Sequence, residues 1–68
     1  MNYEDFRVEY KGNCYQNGKK TSFNLFTREG NQFIFSGQFF VLGWNRTDEQ
    51  CVAGAVRQMA DSDDDEEA

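Results

Sequence analysis

Two chain-reversal signals in the first half of this sequence constrain its fold more than any other feature. Asn17-Gly18 joins two residues that tolerate the positive φ of a type I′ turn, and Glu29-Gly30-Asn31 supplies a second reversal. The stretches they separate read as strands. Phe6, Val8 and Tyr10 alternate with Arg7, Glu9 and Lys11, the period-2 pattern of a half-buried strand, and Gly12 interrupts it as a bulge would. A second strand runs from about Lys19 to Thr27, with Phe23 and Leu25 on one face and Ser22, Asn24 and Phe26 on the other. The third, Gln32 to about Leu42, is long and very apolar. Three strands joined by two tight turns predict an antiparallel meander.

Register follows from side-chain pairing. A two-residue loop at Glu29-Gly30 would set Leu25 beside Ile34 and Phe26 beside Phe33, splitting the aromatics between the faces. A three-residue loop sets Leu25 opposite Phe35 and Phe26 opposite Ile34, gathering Phe23, Leu25, Phe33 and Phe35 on one face. A one-residue slip would move a whole apolar set across the sheet, so the three-residue loop is expected, with Asn31 in its left-handed position. Phe39 and Val41 continue the core face beyond Gly37, where the strand is free to bend, and Phe40 and Leu42 fall on the opposite face.

Thr47-Asp48-Glu49-Gln50 reads as a capping box, in which the threonine hydroxyl accepts from the Gln50 amide and the glutamine reaches back. Cys51, Val52, Ala55, Val56 and Met59 then share one helical face, while Gly54 either weakens the helix or allows a close approach. The expected fold is α+β: a three-stranded antiparallel meander with one C-terminal helix packed on the sheet, in the order βββα. A chain of 68 residues holds one domain with one modest core. That domain is placed at 1–60, followed by an acidic tail at 61–68.

The net charge of −5 belongs to the tail. Residues 1–60 carry all seven Lys and Arg against six acids, a balance of +1, and residues 61–68 hold the other six acids with no base. Like charges in a block repel, so the tail is expected to be disordered and to act either as a solubiliser or as a polyanion for a basic surface.

The sequence argues against several classes of chemistry. It has no histidine and two cysteines, Cys14 and Cys51, too few and too far apart for a zinc site or a secreted disulfide framework. The acidic start Met1-Asn2-Tyr3-Glu4-Asp5 lacks the apolar run of a signal peptide, so a cytoplasmic protein with reduced thiols is expected. Each carboxylate has a surface or capping explanation, Cys51 falls on the apolar helix face, and Asn17-Gly18-Lys19-Lys20 lacks the spacing of a phosphate loop. The expectation is therefore no enzyme, no cofactor and no metal.

Apolar residues remain once the core is filled. Phe26, Ile34, Phe40 and Trp44 are expected at the centre of an interface on the sheet face opposite the helix, because exposed apolar patches mark interaction sites. Asp63, Asp64, Asp65, Glu66 and Glu67 supply its charged arm. The expected function is a small non-catalytic protein-binding module that modulates or inhibits its partner, of the kind that phages and mobile elements use as accessory proteins. The partner is another protein with a basic or apolar surface, or a second copy of the chain. The alternative is a single-stranded nucleic-acid binder: Tyr10, Tyr15, Phe26 and Phe40 would stack on bases and Arg7, Lys11, Lys19, Lys20, Arg28 and Arg46 would follow the backbone. A body so weakly basic, beside a competing acidic tail, argues against it.

Overall fold

A computed structural model describes residues 3–60 in full and only the backbone course of 61–67. The expected disorder of the acidic tail, and the partner-binding roles of Asp63, Asp64, Asp65, Glu66 and Glu67, lie outside the described residues.

A single 3-10 turn (Tyr3–Asp5) leads into β1 (Phe6–Tyr15), β2 (Lys19–Glu29), β3 (Gln32–Leu42) and α1 (Asp48–Glu67). The strands form one antiparallel sheet in the order β1-β2-β3, with β2 central and α1 on one face: the α+β arrangement, βββα. The core is small and lies between sheet and helix. Phe23, Leu25 and Val41 from the sheet meet Cys51, Val52 and Ala55 from the helix, with Phe6, Val8, Phe39 and Val56 packed at the margin.

The capping box forms as its residues dictate. Gln50 N–H donates to Thr47 Oγ1 at 3.2 Å, and Thr47 N–H donates to Gln50 Oε1 at 3.0 Å. A second anchor fixes the connection from β3 to α1. Fully buried Thr21 donates to Gly43 O at 2.7 Å and accepts from Arg46 N at 3.4 Å, while Asn45 N–H donates to Asn13 Oδ1 at 3.0 Å.

The turns differ from expectation. Tyr15 pairs with Lys19, so the first hairpin closes with a three-residue loop, Gln16-Asn17-Gly18, in which Asn17 (φ 59°) and Gly18 (φ 115°) take the positive φ values. The second closes with two residues, since Glu29 pairs with Gln32, and Gly30 rather than Asn31 holds the positive φ (65°), the pattern of a II′ turn.

This corrects the register of β3. Phe26 pairs with Phe35, Thr27 with Ile34 and Arg28 with Phe33; a bulge at Ser36 then shifts the ladder, and Leu25 pairs with Gly37 and Phe23 with Phe39. The open face therefore carries Phe33 and Phe35, which the sequence reading placed in the core. Ile34 moves the other way, to the helix side beside Thr27. The bulge in β1 sits between Tyr10 and Gly12, where Gly12 was expected to mark it.

Candidate interaction surface

Side chains alternate across a strand, so the register assigns each residue to a face. On the open face, Arg7 of β1, Phe26 of β2 and Phe35 of β3 form one row across the sheet, and Arg28 and Phe33 lie in the row beyond it. Phe26 and Phe35 meet edge to face, with ring centroids 5.7 Å apart. The Arg7 guanidinium lies 4.5 Å over the Phe33 ring. Asp5 pairs with Arg28 at 3.4 Å across the rim. Phe35 is 58% exposed, whereas Phe26 and Phe33 are half-buried by their neighbours. Among the described residues the N-terminal ones do not cover this patch: Phe6 packs against the core on the helix side, and Tyr3 lines a groove with Val52.

A polar band bounds the patch. Asn24 Nδ2 donates to Glu9 Oε1 at 3.0 Å and Gln38 Nε2 donates to Ser22 Oγ at 2.9 Å, which together cross all three strands. Phe40 and Leu42 lie beyond it on the same face, beside Lys20, with Leu42 70% exposed. Of the four residues expected at the centre of one interface, Phe26 and Phe40 thus share the open face but stand on opposite sides of the band, and Ile34 faces the helix side.

Trp44 is elsewhere again. It lies at the hairpin end of the sheet, where its Nε1 donates to Cys14 O at 3.2 Å, its ring meets Tyr15 edge-on at 5.3 Å, and Lys19 Nζ sits 4.7 Å above it. The rigid connection through Asn45, which holds a positive φ of 55°, places it there. An asparagine so close to the end of an apolar strand was the available signal that the chain turns back before Trp44 can join the sheet face.

No family model, curated protein or solved structure matches this chain.

A different surface runs along the outer edge of β3, where a cleft of about 460 Å³ is lined by Lys20, Arg46, Arg57, Gln50 and Gln58. Two of these side chains cap strand carbonyls: Arg46 Nε donates to Leu42 O at 2.9 Å and Gln58 Nε2 donates to Phe40 O at 2.7 Å. Both cysteines are free thiols, Cys14 half-buried and Cys51 buried. Burial, and secondarily the nearby Asp48 carboxylate, pushes the Cys51 thiol above its ordinary value of 9.0, so the neutral and less nucleophilic form is favoured. Among the described residues no group of three or more Cys, Asp or Glu is arranged to hold a metal ion, and no helix is long and apolar enough to cross a membrane.

Proposed function

We propose that this protein is a non-catalytic binding module that docks a partner protein on its open sheet face and so modulates or inhibits that partner. The observation that carries the reading is the Arg7-Phe26-Phe33-Phe35 cluster: three aromatic rings and a guanidinium on a sheet face that no other described element covers. Aromatic and Arg side chains held rigidly by one another are the residue types that dominate interface energetics, since little side-chain entropy is lost when they bind. The acidic run at 61–68 adds long-range attraction toward a basic partner surface. A cytoplasmic setting, with both thiols reduced, belongs to this proposal.

Aromatic rings beside Arg7, Arg28 and Lys20 on one sheet also support single-stranded nucleic-acid binding as a second reading. The charge balance of the face favours protein, because Asp5 already pairs with Arg28 and Glu9 lies in the next row, within the polar band.

A photo-crosslinking residue at position 35, used in extracts of the native host, tests the proposal. The expected result is one protein captured far out of proportion to its abundance, lost when Phe26→Ser is added and retained when Phe40→Ser is added. Micromolar binding of a single-stranded oligonucleotide by the chain truncated after Ala60, at physiological salt, would reverse the ranking of the two readings.

A further inference from the structure

The ladder pattern decides which residues of β3 turn their backbone outward. Gly43 N–H donates to Lys19 O at 2.7 Å, and a two-residue turn makes Glu29 and Gln32 a bonded pair. Bonded pairs alternate along an antiparallel ladder, so Phe33, Phe35, Gln38, Phe40 and Leu42 point their N–H and C=O groups away from β2. The carbonyls of Phe40 and Leu42 are capped by Gln58 and Arg46. Among the described residues, no such cap reaches Phe33 or Phe35. The edge of β3 is thus capped at the carbonyls of Phe40 and Leu42 and, among the described residues, uncapped at Gln38 and open over its first half.

We propose that the open half, Gln32–Ser36, is where a second copy of this chain adds edge to edge, antiparallel, about a two-fold axis at Ile34. The sequence there, Phe33-Ile34-Phe35, is symmetric about its central residue, so each copy presents to the other what it receives, as an isologous interface requires. Parity agrees. With Ile34 facing Ile34 of the other copy, Phe33 faces the other Phe35, and both are residues whose backbone groups point outward and can pair. Their rings meet on the open face as cross-strand aromatic pairs, extending the Phe26-Phe35 row from one sheet into the next. The segment holds no charge, so the antiparallel register sets no like charges against each other. Its side chains are exposed on both faces: Ile34 is 43% exposed on the helix side and Phe35 is 58% exposed on the open side.

The length of the open segment fits this occupant as well. Beyond Ser36, the second copy's strand would run past the Gly30-Asn31 turn, where the first copy has no strand to offer. The carbonyls of Phe40 and Leu42 fall in that region, and these are the ones closed by side chains. The contact shares the Phe33 and Phe35 rings with the proposed binding face but turns on Ile34 and the strand's edge, so self-association and partner capture are read out by different residues and different measurements.

Sedimentation equilibrium on the full chain, its Ile34→Lys and Ile34→Glu variants and their equimolar mixture provides the test. The wild type should pass from monomer to dimer with concentration. Each variant alone should be weakened at least about tenfold, because like charges then meet on the two-fold axis, and the mixture should recover a dimer. Circular dichroism checks that the variants fold. In the wild type, hydrogen exchange at the Phe33 and Phe35 amides should slow with rising concentration while Phe40 and Leu42 stay constant. A wild type that is monomeric up to about 1 mM, at the weak end of measurable association, overturns the proposal. So does an Ile34→Lys chain that is folded and dimerises normally, or exchange at Phe33 and Phe35 that ignores concentration.

Discussion

Gly54 of α1 lies so close to Val41 of β3 that a β-carbon at position 54 would overlap the valine's Cγ1. The helix therefore meets the sheet through its own backbone, and two effects oppose each other at this residue. Glycine costs a helix interior about 1 kcal/mol relative to alanine, whereas forcing an extra methyl into a packed contact costs about 1–3 kcal/mol. The second effect should win. Gly54→Ala is expected to lower the midpoint of urea unfolding despite its better helix propensity, and a higher midpoint would show that the helix has room to lift.

Thr21 should be the most sensitive polar residue in the domain. It is fully buried, and Thr21→Val keeps its shape while leaving the Gly43 carbonyl and the Arg46 amide without their shared partner. The expected loss is about 1–3 kcal/mol, the cost of leaving part-buried polar groups unpaired. Thr21→Ser should recover most of it in the same melts, which separates the hydroxyl's role from packing.

Mutations of phenylalanine should divide by face. Phe23→Ala removes a fully buried ring and should cost about 3–5 kcal/mol, enough to unfold a domain of this size. Phe35→Ser, at a ring 58% exposed, should leave the circular dichroism spectrum and the thermal midpoint nearly unchanged. If Phe35→Ser unfolds the chain as Phe23→Ala does, the open face is not open.

Cys51 ties stability to alkaline pH. Its folded-state pKa is raised from 9.0 by burial first and by Asp48 second, so the unfolded chain ionises its thiol before the folded one does. Below the ordinary value both states are protonated and this thiol adds no pH dependence. As pH rises past it, the unfolded state loses its proton first and stability falls until the folded thiol also ionises. The stability difference between wild type and Cys51→Ala should therefore be flat below about pH 8 and shrink above the thiol's ordinary value. A difference that grows with pH would contradict the burial of the sulfur.

Much of this fold is legible in the sequence, because local chemistry fixes it. Thr47 and Gln50 announce the helix start, the spacing of Cys51, Val52 and Ala55 names its buried face, and Phe23, Leu25, Phe39 and Val41 fall on the core side as their alternation requires. The middle of β3 escapes that reading for a specific reason. The second turn has two residues where three were expected, which displaces the ladder by one, and the bulge at Ser36 displaces it by one more. The two shifts together restore the parity of Phe39 and Val41 but leave Phe33, Ile34 and Phe35 inverted between them. A bulge needs no particular side chain, and its trace here is Gly37, whose φ of 136° suits a glycine and which read only as a place where the strand bends. Ile34 and Trp44 were misplaced by register and by a turn, neither of which hydrophobicity reports.

The strip of hydrogen-bonded polar side chains formed by Glu9 with Asn24 and by Gln38 with Ser22 also affects how this surface can change over time. Phe26 and Ser22 lie four residues apart on β2, about 13 Å along the strand, with the strip beginning between them. Phe35 and Leu42 pair with different residues of β2, Phe26 and Lys20, so the effects of substitutions around each should add independently. Each half of the sheet is then free to acquire or lose affinity without disturbing the other, and drift at one end does not have to be compensated at the other.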